Sequence, residues 1–362
     1  MLPFRPGLPP MSVLSTLRFT AWRQVVPTLA LATLAGWLAE RLQLPLPWMI
    51  GPLFAVAGAR MADFDLRPLP GGRQSGQWAI GAALGLYFSP EVVAQLSLHA
   101  PLVIAAALGS LVLGMGYALI MLRLARVDTP TAFFAALPGG ASEMANLADR
   151  YGGAVDRIAA AHAIRVMMVV SVLPFALTFG GVHGSDLYVP LANAVDARQF
   201  PLLVGVSLLG VGTFKLLRIA NAWVLGPLFG VAVATLAGVP LSALPAWVVN
   251  GGQLLIGCAL GCRFSREFFR AAPRFMAVAG LTAAMSIVLA FAFAVLLGLV
   301  SGVPLPTLAL ATAPGGVSEM CITAKVLQLG VPLVTVCHVL RVVVLTVGAQ
   351  WGFGVFRRLV AA

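Results

Sequence analysis

Two stretches, LPGGASEM at 137–144 and APGGVSEM at 313–320, agree at six of eight positions and set a Pro-Gly-Gly break just ahead of a Ser-Glu pair. Proline removes a backbone donor and glycine readily ends a helix, so each stretch leaves free N–H groups at the start of the helix that follows. Those groups and the positive end of the helix dipole suit an anion. Gly139, Gly140, Gly315 and Gly316 are therefore candidate substrate-binding positions, with Ser142 and Ser318 as helix N-caps or ligand donors. Glu143 and Glu319 are candidate coupling groups that carry a proton or help to coordinate Na⁺. The competing reading is a helix-start carboxylate held by the dipole and by arginine. A second pair, AHAIRV at 161–166 and CHVLRV at 337–342, sets His162 and His338 three residues before Arg165 and Arg341. That spacing puts histidine and arginine on one helix face. The arginines suit carboxylate recognition, either of an anionic substrate or of Glu143 and Glu319. The histidines either relay protons as part of ion coupling or satisfy local carbonyls.

The elements that carry these residues are themselves duplicated. WMIGPLF at 48–54 matches WVLGPLF at 223–229, and GQWAIGAALGLYFS at 76–89 matches GQLLIGCALGCRFS at 252–265. The offset is 175 for the first pair and 176 for the rest, so the chain is two homologous halves, 20–180 and 198–358, behind an extension of residues 1–19. The apolar segments of the first half are 24–39, 47–60, 75–88, 100–122, 131–151 and 155–179. Those of the second are 200–217, 222–237, 251–264, 275–300, 307–329 and 332–356. Gly81 and Gly85, like Gly257 and Gly261, form a small-residue packing face. Gln77 and Gln253 reach the site if that face turns inward.

Of 362 residues, 60% are apolar and 10% are charged, against about 45–50% and about 25% in average globular chains. Mean hydropathy is +0.97. A water-soluble protein of this composition cannot cover its surface, and disorder is excluded because there is ample apolar area to bury. Long continuous apolar runs argue against a β-barrel. The fold class expected is therefore all-α and integral to the membrane. Cys258, Cys262, Cys321 and Cys337 all lie in apolar stretches, without zinc spacing, and read as packing residues. No metal site and no cofactor is expected.

The basic residues set orientation. Basic loops alternate along each half, but with opposite parity, so the halves are inverted-topology repeats. Each then needs an odd number of crossings. Six segments give five, and the broken fifth segment is the candidate for a re-entrant hairpin. The alternative is that it crosses as an unwound helix while a short segment, such as the third, does not. The fold expected is about ten transmembrane helices plus two broken or re-entrant ones, with both termini cytoplasmic. Of 23 Lys and Arg, 18 then fall on the cytoplasmic side. Arg41, Arg198 and Lys325 lie outside, and Arg165 and Arg341 lie within the membrane. This distribution accounts for the net charge of +11 without nucleic acid.

The duplicated PGG-x-SEM and GQxxIGxxLGxxFS motifs resemble the bacterial AbrB-duplication membrane family, whose members carry the labels ammonia monooxygenase or AbrB-type regulator. The resemblance spans nearly the whole chain. The regulator label implies a role in gene expression, and the monooxygenase label implies a metal site for which four His and four Cys without clustering give little support. The inverted arrangement also resembles cation–proton antiporters and anion transporters at the level of fold. The expectation is a non-enzymatic secondary transporter of the bacterial inner membrane, moving a small organic anion coupled to H⁺ or Na⁺. Its motion would be rocking or an elevator-like slide. The rival is a membrane-embedded regulator or sensor without transport. The partners expected are a small-molecule solute, its coupling ion and the lipid bilayer, with a homodimer as the candidate assembly.

Overall fold

A computed structural model describes residues 11–361 except 183, 185–187, 189, 193 and 271. Residues 1–10 of the expected extension lie outside the described residues, and the first helix takes in the rest. The helices, in chain order, are α1 (Met11–Arg41), α2 (Pro47–Met61), α3 (Gly72–Gly85), α4 (Pro90–Leu98) and α5 (Ala100–Ile120), which closes on a π-helical turn, Met121–Ala125. Then come α6 (Thr129–Ala136), α7 (Ala141–Asp149), α8 (Val155–Phe179), α9 (Phe200–Leu216), α10 (Ala222–Leu236) and α11 (Ala246–Gly261). The chain ends with α12 (Arg266–Arg270), α13 (Pro273–Ser301), α14 (Leu305–Thr312), α15 (Val317–Leu327) and α16 (Val331–Ala361). No strand occurs among the described residues. Segments that match in sequence form helices in the same order.

Four described helices are long and apolar enough to cross a bilayer: 100–125, 155–179, 273–301 and 331–361. Each exceeds the ~20 residues that a span needs. A fifth span is possible if α3 and α4 count as one, but they meet at a bend of 87°. Residues 90–98, between two of the expected apolar segments, form α4. They are helical because Ser89 accepts from the Val92 N–H at 3.4 Å and Pro90 sits at the first helical position.

The helices sort into two groups. The first joins α2 to α1 and α11, α10 to α9 and α3, and α3 to α11. The second packs α5 on α16 and α13 on α8, with α6 and α7 against α8, and α14 and α15 against α16. Glycines make the first group close-packed. Gly81 and Gly85 in α3 lie against the Val224 and Leu228 carbonyls of α10, and Gly257 and Gly261 in α11 lie against those of Met49 and Leu53 in α2. Gly76 and Gly252, equivalent in the two halves, meet each other backbone to backbone. A Cβ at any of the first four, or at Gly76, would come closer than 3.0 Å to a carbonyl oxygen. These contacts are reciprocal: each one in one half has its equivalent in the other. The expected packing face is therefore present.

The breaks also have local causes. Leu137 and Ala313, each preceding a proline, are extended at ψ 132° and 136°, which stops α6 and α14. At its other end α6 is held by Asp128, which accepts from the Thr131 N–H and from the Thr131 hydroxyl at 2.8 Å each. Phe133 and Phe134 pack on Phe353 of α16 at ring separations of 5.4 and 5.3 Å.

Candidate functional site

The two breaks face one cavity of about 100 Å³, which lies where the two helix groups meet. From the second group, Gly139, Gly140, Ser142, Glu143, His162 and Arg165 line it together with Gly315, Gly316, Ser318, Glu319 and Arg341. The first group contributes Arg73 and Gln77 of α3, Asn221 at the start of α10, and Arg263 just after α11. Thus every predicted site residue except His338 reaches this wall.

The PGG-x-SEM motif closes on itself. Glu143 folds back so that its carboxylate lies against Gly140, where a Cβ would collide with Oε2; Glu319 does the same at Gly316. Met144 and Met320 lie over the preceding Gly139 and Gly315, leaving no room for a side chain there. Gly140 and Gly316 have φ of −67° and −79°. A Cβ at either would have to displace the movable carboxylate end of the glutamate, and neither position needs a left-handed backbone. These glycines are also the N-caps of α7 and α15, which corrects the expectation that Ser142 and Ser318 cap those helices. The serines stand two residues further on, inside the first turn. The Ser318 hydroxyl donates to Glu319 Oε2 at 3.0 Å. The first-turn N–H groups of α7 and α15 have no acceptor within their own helix.

The arginines do not pair with Glu143 or Glu319. Among the described residues the ion pairs are Arg60–Asp65 and Arg266–Asp63, both remote from the cavity. Instead the guanidinium groups bind the carbonyls that the breaks release. Arg165 donates from Nη1 to the carbonyls of Leu137 at 3.0 Å and Ala136 at 3.3 Å, and from Nε to that of Pro314 in the opposite break at 3.2 Å. Arg341 donates to the carbonyls of Ala313 and Gly315. A cation at the C-terminal end of each half-helix complements its dipole. The reason pairing fails is geometric: each carboxylate is turned back onto its own glycine.

The histidines satisfy carbonyls. His162 Nε2 donates to the Phe134 carbonyl at 3.0 Å and His338 Nε2 to that of Leu310 at 2.8 Å. In that tautomer Nδ1 is an acceptor. His162 Nδ1 accepts from Arg165 Nη2 at 2.8 Å, so both of its nitrogens are hydrogen-bonded. His338 Nδ1 and Arg341 Nε are buried without a partner among the described residues. The halves thus differ in bonding. They also differ in exposure: Ser142 is exposed and Glu143 half-buried, while Ser318 and Glu319 are 3% and 7% exposed.

The cavity wall carries four guanidinium groups (Arg73, Arg165, Arg263, Arg341) and two carboxylates (Glu143, Glu319), a surplus of two positive charges. Sequence reading missed Arg73, Arg263 and Asn221 as lining residues. The signal available was the difference between the halves, because their equivalents are Val249, Tyr87 and Leu46. Gln77 reaches the cavity, whereas Gln253 is buried away from it. The four cysteines are free thiols, three buried and Cys262 half-buried. Among the described residues no three His, Cys, Asp or Glu side chains lie close enough to hold a metal ion.

A family model described as "Transition state regulatory protein AbrB" matches residues 48–357. This chain belongs to the AbrB family. Two relatives are similar over nearly their full lengths. "Uncharacterized protein YhjN" of Bacillus subtilis (strain 168) is 26% identical over 339 residues, covering 87% of this chain and 88% of that protein. "Putative regulator AbrB" of Escherichia coli (strain K12) is 23% identical over 319 residues, covering 86% and 90%. The match to the AbrB family takes in both helix breaks and every cavity-lining residue named above.

Proposed function

We propose that this AbrB-family chain is a secondary transporter of the bacterial inner membrane. Its solute is a small organic anion, and its movement is coupled to H⁺ or Na⁺. The observation that carries this reading is the positive surplus in a cavity built from two helix breaks. Irregular backbone at membrane depth is tolerated where it is buried in protein or lines a wet cavity. A buried guanidinium with no carboxylate partner is costly, and an anion in the cavity would offset that cost. The free first-turn N–H groups of α7 and α15, with Ser142, would orient it. Glu143 and Glu319 would carry the coupling ion.

The topology proposed is two inverted repeats, 20–180 and 198–358, with about ten crossings and both termini cytoplasmic. Support comes from two independent sources. The reciprocal glycine contacts imply a two-fold relation between the halves. The opposite parity of the basic loops requires that axis to lie in the membrane plane. The broken fifth segments would then sit back to back near the bilayer centre. The unequal exposure of the two breaks fits a conformation open on the Ser142 side. Because the cavity lies between the two helix groups, an elevator-like slide of the group carrying the breaks would expose it to each side in turn.

The experiment is a thermal-shift screen of small carboxylates and amino acids, with and without Na⁺. A ligand at 100 times its Kd stabilises by about 2.7 kcal/mol. A specific shift that Gly140→Ala or Gly316→Ala abolishes supports the site. No shift with any small anion at millimolar concentration contradicts it. One observation favours a second reading: the regulator wording in the family description and in the Escherichia coli relative. A membrane sensor acting on gene expression would retain ligand binding, capture a stable protein partner and carry no flux.

A further inference from the structure

Three cavities converge on one side chain. Arg263 lines the central cavity and also two more open ones, of about 460 and 400 Å³. The first open cavity shares Ala141 and Ser142 with the central site, and the second shares Arg73 and Ala259. Arg263 therefore stands at the junction between the breaks and the two open cavities, the first of which also carries Asp156. Neither the Arg263 nor the Arg73 side chain makes a hydrogen bond or ion pair among the described residues, whereas the Arg263 backbone N–H donates to the Leu260 carbonyl at 3.2 Å. The equivalents in the other half carry none of this chemistry. Val249 replaces Arg73, and Tyr87 replaces Arg263, buried at 7% exposure with the Lys325 ammonium 6.0 Å from its ring centre. The duplication thus supplies two arginines to the wall of the site from one half, and neither equivalent lines it from the other.

We infer that Arg263, backed by Arg73, is an electrostatic entry filter that favours small anions over cations of similar size on the way from the open cavities to the Ser142–Glu143 break. Guanidinium suits this task because it is always charged and weakly hydrated, and a net surplus of one sign, here four arginines against Glu143, Glu319 and Asp156 over the two connected cavities, concentrates the opposite ion. The inference rests on the proposed transport only for the identity of the solute. The filter itself is a property of the mouth and is measurable without any transported molecule.

The test places a thiol behind the mouth. Ser142→Cys is made with Cys262→Ala, since the other three cysteines are buried. The full-length protein in detergent is reacted with a sulfonate-bearing and a trimethylammonium-bearing methanethiosulfonate. The ratio of the two rates is divided by the same ratio for free cysteine. The inference predicts a normalised preference for the anionic reagent on the order of 25-fold, because the reagents differ by two unit charges at about fivefold per unit charge met near 4 Å in water. Arg263→Gln and Arg73→Gln should each lower it, Arg263→Glu should invert it, and Arg263→Lys should keep it. A normalised ratio near one in the parent protein, or a ratio that Arg263→Glu leaves unchanged, overturns the inference. The reagents report the mouth directly, so this result stands whether or not the solute screen finds a ligand.

Discussion

Removing the carboxylates and removing the arginines should have very different consequences for stability. If Arg165 and Arg341 were ion-paired with Glu143 and Glu319, Glu→Gln would strand a buried charge at a cost of about 3–5 kcal/mol. The observed bonding predicts otherwise. The carboxylates touch their own glycines, so Glu143→Gln and Glu319→Gln should each change stability by less than about 1 kcal/mol. Arg165 by contrast holds the Leu137, Ala136 and Pro314 carbonyls at 3.0–3.3 Å. Hydrogen bonds to charged groups contribute about 1.5–3 kcal/mol each. Arg165→Met should therefore cost about 5–9 kcal/mol, comparable to the entire stability of a typical domain. It should abolish monodisperse protein. Arg165→Lys keeps the charge but not the fork, and should fall between the two. The assay is intrinsic-fluorescence melting in detergent, with the yield of monodisperse protein alongside. A destabilisation by Glu143→Gln as large as that by Arg165→Met would refute this account of the breaks.

Further outcomes follow from the same contacts. Gly140→Ala meets the movable ends of Glu143 and Asn221, so melting should stay nearly unchanged while ligand-induced shifts disappear in the thermal screen. Gly81→Val instead drives a side chain into the Val224 carbonyl and should lower stability by at least about 1–3 kcal/mol, read as an earlier melt and lower yield. Asn221→Leu should fold normally, because the equivalent Leu46 already adopts the same backbone at φ 50° against 55°. It should weaken anion binding up to about tenfold, as expected for one lost hydrogen bond, measured by titrated thermal shift.

Much of this architecture was legible in the residues. Duplicated motifs fixed the order of elements, and each Pro-Gly-Gly located a break to within a residue, because X-Pro geometry is local. The small-residue faces of α3 and α11 pack as their spacing implies. What the arginines bind was not legible. Every residue offers a carbonyl, so an acceptor released by a helix break leaves no mark in the sequence, whereas a nearby glutamate does, and the pairing it suggested as one of two alternatives does not form. The caps failed for a related reason. Serine is a good N-cap in general, but here the glutamate three residues after the glycine occupies the space beside the cap. Arg73, Arg263 and Asn221 lie outside the repeated break motifs, and only their mismatch with Val249, Tyr87 and Leu46 distinguished them. The short helix α4 had a usable signal in Ser89-Pro90-Glu91, a cap followed by proline and an acidic first turn.

The most direct measurement is solute flux into proteoliposomes holding this chain, driven in turn by imposed H⁺ and Na⁺ gradients. The reading predicts saturable uptake of at least one small carboxylate under one of those gradients, with gradient dependence lost in Glu143→Gln and Glu319→Gln proteins that still fold. Absence of saturable flux for every anion tested, or undiminished coupling in both glutamine variants, would contradict it.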